Sequence, residues 1–258
     1  MPIIAFTNQK GGVGKTTSAL NVAAELAKAG RSTVLVDLDP QGNATSGLGA
    51  KPGKAEAGTY ELLTSNRALG ELTRNTAVPG LDVVAASQQL AGAEVELAQA
   101  EGRYVRLARA LTSHHYQYVV IDSPPSLGFL SLNALVAARY VVIPVQAEYY
   151  ALEGLGSLFE ILRKVKKSLN PELDVLGVLV TMFDKRIRLS SQVVDEVKRH
   201  FPEQTFETVI PRNVRLAEAP SYGEPVGSFD KWSKGARAYK KLAEEVHDAV
   251  QARTWQRA

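Results

Sequence analysis

The sequence predicts an α/β fold, a single doubly wound and mostly parallel sheet built from residues 1–258. Three observations lead there. Short apolar runs recur along the chain and end in polar or acidic residues, as buried parallel strands do. Helix-forming segments separate these runs. The first two runs, Ile3 to Phe6 and Thr33 to Asp37, begin thirty residues apart, the spacing of a βαβ unit.

The first run leads into Lys10-Gly11-Gly12-Val13-Gly14-Lys15-Thr16-Thr17. An Ala-, Leu- and Glu-rich segment, Thr16 to Ala29, follows and reads as a helix. Strand, glycine turn and helix form the setting of a phosphate loop. Its glycines let backbone N–H groups converge on an anion, and the helix adds the positive end of its dipole. In that reading Lys15 reaches the β- and γ-phosphates and the Thr16 hydroxyl ligates Mg²⁺. The usual pattern carries a Gly where this chain has Gln9, and a second lysine, Lys10, comes next. Lys10 sits too early in the turn to follow the path of Lys15. The competing reading is a glycine turn that binds nothing.

The second run ends in Asp37-Leu38-Asp39-Pro40-Gln41-Gly42-Asn43. Carboxylates at the C-terminal edge of an open α/β sheet lie where such sheets bind ligands. Asp37 and Asp39 are both expected to face the phosphates, near Mg²⁺ or an attacking water. Plain turn chemistry is the alternative, since Asp, Pro, Gly and Asn are turn formers. Residues 49–58 read as a loop, Thr59 to Leu63 as a short helix and Leu81 to Ala85 as a strand. Gln88 to Ser113 reads as a long helix, broken near Gly102, with its apolar residues in the core.

Tyr118 to Asp122 is a continuous apolar strand closed by an acid and followed by Ser123-Pro124-Pro125. An acid in this position holds Mg²⁺, usually through water. Tyr140 to Val145 and Val175 to Met182 read as further buried strands, with a helix near Leu152 to Leu169 between them. The last helix, Gly235 to Arg253, carries a narrow stripe of Leu242, Val246 and Val250 interrupted by acids. Such a stripe packs on the body rather than entering lipid.

Composition narrows the function classes. No linker, low-complexity tract or internal repeat divides the 258 residues, which favours one domain over two. There is no cysteine, so disulfides, cysteine-ligated clusters and a cysteine nucleophile are excluded together. No apolar run approaches the ~20 residues of a membrane span. No leader sequence is read, and a cytoplasmic location is expected. Residues 1–150 carry 12 Lys/Arg and 12 Asp/Glu, and residues 151–258 carry 18 against 15. The whole excess of +3 therefore lies in the C-terminal part, where either a basic face or ordinary solvated charge accounts for it.

Taken together, Lys10 to Thr17, Asp37 to Gly47, Val120 to Leu127, Pro144 to Gly154, and Ile210 to Arg215 with Glu218-Ala219-Pro220 resemble the ParA/Soj type of chromosome-partitioning ATPases. These belong to the deviant Walker A family, a P-loop NTPase group that also includes division-site-selecting ATPases. The resemblance implies an ATP-dependent homodimer that sandwiches ATP and Mg²⁺. It implies that Lys10 reaches the partner's ATP, that Asp39 supports hydrolysis near the metal, and that Asp122 serves Mg²⁺. The nucleotide is bound by Lys10, Gly11, Gly12, Val13, Gly14, Lys15, Thr16 and Thr17, with adenine near Met182, Pro211, Arg212 and Asn213. Lys10, Lys15 and Asp39 are the expected catalytic set, and Thr16, Asp39 and Asp122 the expected metal set.

The resemblance also implies nonspecific double-stranded DNA as a partner, contacted by Arg186 and Arg215. Lys185, Arg188, Lys198, Lys231 and Lys234 are the further basic candidates. A ParB-type centromere-binding protein triggers hydrolysis in this reading, and the protein is nucleoid-associated and does not bind membrane. With a strand beginning at Ile3, no separate N-terminal DNA-reading domain is expected. A membrane-cycling division ATPase and an ATP-dependent metabolic ligase are the alternatives.

Overall fold

A computed structural model describes residues 1–50, 57–65, 67–148 and 151–255. Most of the loop expected at residues 49–58, and Tyr149 and Tyr150, lie outside the described residues. Seven strands form one sheet: β1 Ile3–Phe6, β2 Thr33–Asp37, β3 Thr73–Asn75, β4 Leu81–Val84, β5 Tyr118–Asp122, β6 Tyr140–Gln146 and β7 Asp174–Thr181. Their order across the sheet is β3-β4-β2-β5-β1-β6-β7. All neighbours are parallel except β3 and β4. The strands are buried because helices cover both faces, which is why they read as unbroken apolar runs.

Alternation along each strand divides the core in two. Ile4, Phe6, Leu35 and Val120 face the layer that contains helix α1, Lys15–Lys28. Ala5, Val36, Val119 and Ile121 face the layer that contains α2, Phe129–Ala137, and α3, Ala151–Ser168. Helix α4, Arg188–His200, lies beyond β7 in the chain, and the long α5, Lys234–Trp255, closes it. On α5 the side chains of Tyr239, Leu242, Val246 and Val250 are buried and the helix packs against α1. Each such burial contributes about 1.5–3 kcal/mol, which fixes this helix to the body as its stripe predicts.

One expectation needs correction, and one strand was not foreseen. Gln88 to Ser113 is not a long helix. It consists of short turns at Gln88–Gly92, Ala93–Glu96, Arg103–Val105 and Arg106–Ala110. Gly102 has φ of 64°, a left-handed residue that ends one turn and starts another. Leu90, Leu97, Leu107 and Leu111 are buried as expected, whereas Val95 is exposed. The short antiparallel β3 at the sheet's edge is the second departure. It holds only three polar residues, Thr73, Arg74 and Asn75, and gives no apolar signal.

Candidate active site at the C-terminal edge of the sheet

The strand order places β1 between β5 on one side and β6 on the other. The chain leaves β1 toward β2 on one flank and later returns to β6 on the opposite flank. This reversal opens a crevice at the C-terminal ends of the strands, the place where open α/β sheets bind ligands. The glycine turn after β1 lies there. Gly12 and Gly14 have φ of 76° and 84°, in the left-handed region that favours glycine. Gly14 is the residue that caps α1. The Val13 carbonyl accepts a hydrogen bond from the Thr181 hydroxyl at 2.8 Å, which ties the turn to β7.

Lys15 is buried, and its ammonium donates to the Lys10 carbonyl at 3.0 Å. Burial pushes its pKa down, while the carboxylates of Asp122 and Asp39 push it up. The three groups thus share one electrostatic environment. Lys10 behaves differently. Its side chain is half exposed and its ammonium lies 3.7 Å from the Glu148 carboxylate. Its backbone N–H donates to Asn8 Oδ1 at 3.0 Å, and Asn8 in turn donates to the Pro144 carbonyl at 2.7 Å. The two lysines of the turn therefore take separate directions, as the spacing predicts.

The three acids at this edge divide sharply. Asp122, at the end of β5, is fully buried, and neither carboxylate oxygen has a hydrogen-bond partner among the described residues. Burial raises its pKa well above the usual carboxylate range, and neighbouring Asp37 raises it further. The Thr16 hydroxyl and the Lys15 charge ease it in part. A buried carboxylate without a partner beside a threonine hydroxyl fits a hard divalent cation. Mg²⁺ takes one or two protein ligands and completes its shell with phosphate and water.

Asp39 is largely buried, and its Oδ1 accepts from the Gln41 N–H at 3.0 Å. Asp37 does not face the crevice as expected. One of its oxygens accepts from both the N–H and the hydroxyl of Thr45, at 2.8 and 2.7 Å. The other accepts from the Asp39 N–H at 3.1 Å. Asp37 is thus a buried anchor for the turn that presents Asp39. Its pKa is pushed up to about 6, mainly by burial and against these hydrogen bonds. The Ser123 hydroxyl donates to the Phe6 carbonyl at 2.8 Å and pins the Ser-Pro-Pro turn to the end of β1.

A mainly apolar cavity of about 520 Å³ opens beside the turn. Gly14, Thr17, Met182, Pro211, Arg212 and Asn213 line it, so all four residues expected near adenine meet next to the phosphate loop. Met182 has φ of 53°, the one left-handed non-glycine among the described residues. Its sulfur accepts from the Gln146 amide at 2.9 Å. Strain of this kind is held where surrounding structure over-determines it.

The basic candidates do not form one cluster. Lys185, Arg186 and Lys234 line a groove of about 420 Å³ together with Arg212, which therefore borders both cavities. Arg186 is exposed and forms a bidentate pair with Asp184 at 2.9 and 2.6 Å. Arg188 opens α4. Arg215 is paired with Glu218 at 2.8 Å and Asp230 at 3.3 Å. Lys198 is paired with Glu207 at 2.5 Å near the end of α4, and Lys231 lies over the exposed Trp232 ring.

Sequence reasoning missed Asn8, Thr45, Glu148 and Thr181. Each is an ordinary polar residue whose partner lies far along the chain or in a turn.

Residues 1–175 match the AAA domain family. The chain is 53% identical to the sporulation initiation inhibitor protein Soj of Bacillus subtilis, over 95% of its own length and 97% of that protein's. It is 52% identical to the chromosome partitioning protein ParA of Myxococcus xanthus, over 95% of its length and 87% of that protein's. Among solved structures, cobyrinic acid a,c-diamide synthase from Mycobacterium smegmatis, with bound ATP analogue and magnesium, superposes with a TM-score of 0.82. It is 36% identical, with 95% of this chain and 93% of that one covered.

Proposed function

The chain belongs to the Soj/ParA family of chromosome-partitioning ATPases, and from that premise we propose that it is an ATP-driven dimerisation switch acting on DNA. ATP binding closes a homodimer, the dimer holds double-stranded DNA without reading sequence, and hydrolysis to ADP and phosphate releases it. A ParB-type centromere-binding protein stimulates the slow intrinsic hydrolysis. The described chain acts as one folded unit at the nucleoid in the cytoplasm. No described helix is long and apolar enough to cross a membrane.

One observation carries the reading. Lys15 is buried in the turn while Lys10, five residues earlier, stays at the surface beside Glu148. A phosphate loop needs one lysine for its own nucleotide. A second, half-exposed lysine on the same loop, held only by the surface carboxylate of Glu148, serves a nucleotide held by another copy.

The residues divide the labour. The N–H groups of Gly11 to Thr17 and the Lys15 ammonium hold the phosphates. Thr16 and Asp122 hold Mg²⁺, with Asp39 near it. When bound there, Mg-ATP supplies the γ-phosphoryl group and the charge neutralisation for its transfer to water. Asp39 is fixed by Gln41 and, through Asp37, by Thr45, so its carboxylate is positioned to orient a water. Met182, Pro211, Arg212 and Asn213 enclose the base in the apolar cavity. Arg186 and Arg215 contact DNA phosphates, with Lys185, Arg188, Lys198, Lys231 and Lys234 as supporting charges.

The test is a gel shift on random-sequence DNA with Mg-ATP and without nucleotide, run beside pelleting with anionic liposomes. Retarded DNA only with ATP, and no protein in the liposome pellet, is the expected result. ATP-dependent pelleting without a DNA shift points instead to a membrane-cycling ATPase. ATP turnover with neither DNA nor liposome binding points to a ligase.

A further inference from the structure

The turn that follows β7 carries its own counter-charge. Asp184 Oδ1 accepts from the Arg186 Nε–H at 2.9 Å, and Asp184 Oδ2 accepts from the Arg186 Nη2–H at 2.6 Å. Oδ1 also accepts from the Arg186 backbone N–H at 3.0 Å. The bonds from Arg186, with the charge of Arg212 nearby, hold the Asp184 carboxyl well below the usual carboxylate range. The Arg186 side chain is 82% exposed, whereas that of Asp184 is only 12% exposed. The groove beside the turn is lined by Lys185, Arg186, Arg212 and Lys234, and Asp184 is the one acid among the described residues that line it.

The two carboxylate oxygens do different things. An aspartate whose Oδ1 takes the N–H two residues on is an ordinary turn former. The turn is completed by the Ile187 N–H, which donates to the Asp184 carbonyl at 3.0 Å. Across from it, the Phe183 N–H donates to the Ile210 carbonyl at 3.0 Å, and the Arg212 N–H donates to the Phe183 carbonyl at 2.9 Å. None of these bonds uses Oδ2. Oδ2 completes a two-pronged grip on the guanidinium, by the edge that also takes two phosphate oxygens in parallel.

Resting on the DNA-binding reading above, we propose that Asp184 is a built-in competitor for the DNA phosphate that Arg186 takes. Its carboxylate occupies the guanidinium edge in the free chain and gives way to a phosphodiester in the groove. Until that exchange the pair has no net charge and displaces no counterion from DNA. The affinity of one copy is thereby kept low, and two copies acting together are needed to hold the duplex.

Asp184→Asn tests this, because the amide keeps Oδ1 for the turn and loses both the charge and the second acceptor. Anisotropy of a labelled random-sequence duplex measures affinity against salt in Mg-ATP, for wild type and variant. The variant is expected to bind about tenfold more tightly, roughly threefold for each of two copies, the size of an exposed ion pair. Its salt slope is expected to steepen by about 0.9 for each copy, since each Arg186 then delivers its whole charge. With Arg186→Gln also present, at low salt, the asparagine is expected to bring no gain. Equal or weaker binding in Asp184→Asn, or an unchanged slope, leaves Asp184 a part of the turn alone and overturns the proposal. An equal gain in the Arg186→Gln background assigns the effect to general charge and overturns it as well. If neither wild type nor variant binds DNA in Mg-ATP, the DNA reading fails and takes this proposal with it. Wild-type binding with no gain in the variant removes this proposal alone.

Discussion

The Lys15 ammonium donates to the Lys10 carbonyl at 3.0 Å, while the Lys10 ammonium lies 3.7 Å from Glu148. One lysine is folded into the turn that the other begins. The pair yields the first prediction. Lys15→Ala is expected to weaken ATP binding by about a hundredfold, the loss of charged hydrogen bonds to phosphate. Lys10→Ala is expected to keep most ATP binding and to lose hydrolysis that depends on protein concentration. Fluorescent-nucleotide titration and turnover across a protein dilution series check both. Normal turnover in the Lys10 variant would contradict its action on a partner's nucleotide.

The second prediction concerns the acid presented by the Asp37 anchor. Asp39→Ala is expected to bind ATP and dimerise while hydrolysis falls by about a hundredfold or more, because the water loses its orienting carboxylate. Sizing chromatography in Mg-ATP is expected to show a persistent dimer. A monomer at saturating Mg-ATP would assign Asp39 a structural task instead.

The third prediction tests that anchor. Thr45→Ala removes the hydroxyl that donates to Asp37 and accepts from the Ala86 N–H at 3.0 Å. Both partners are then left short inside the protein, at a cost of about 1–3 kcal/mol. Chemical denaturation measures the loss. Thr45→Ser, which restores the hydroxyl, is expected to recover most of it.

A fourth prediction lies at the opposite end of the sheet. His247 on α5 shares a hydrogen bond of 2.6 Å with the Tyr118 hydroxyl at the start of β5. Burial and the nearby Arg31 lower its pKa below the ordinary 6.5, and Asp248 opposes them only in part. The folded protein therefore prefers the neutral ring. The corresponding stability is complete above pH 6.5 and is lost as pH falls from there through the lower folded-state pKa. Thermal midpoints between pH 7.5 and 5.5 are expected to fall less steeply in His247→Gln than in wild type. Equal slopes would remove His247 from the account.

Much of the fold was legible because parallel strands covered on both faces are mostly apolar, and six of the seven strands are. The edge strand Thr73–Asn75 is not, so it left no trace. Gln88 to Ser113 misled because its buried leucines fall at helix-like intervals although Gly102 and the short turns break the path. The phosphate loop was legible because its glycines meet a conformational requirement within eight residues. Asp37 and Asp39 were not separable, since what distinguishes them is Thr45, whose hydroxyl reaches back to only one of them. The pairing of Lys10 with Glu148 joins β1 to β6 and depends on the strand order, which no local pattern encodes.

The central claim is that ATP gates DNA binding by pairing two weak basic faces. In the single chain Arg186 and Arg215 are occupied by Asp184, Glu218 and Asp230, so one copy offers few free cations to DNA at those positions. Closure of a dimer doubles the phosphates that can be neutralised. The logarithm of affinity for duplex DNA changes with the logarithm of salt at a slope of about −0.9 per phosphate, so doubling contacts both raises affinity and steepens its salt dependence. The most direct test is affinity for random-sequence DNA against salt, in Mg-ATP and in ADP, for wild type, Arg186→Glu and Arg215→Glu. Tight, steeply salt-dependent binding only for wild type in ATP, with ATP binding and dimerisation intact in both variants, is the predicted result. Equal wild-type affinity in ATP and ADP, or unchanged affinity in both variants, would contradict it.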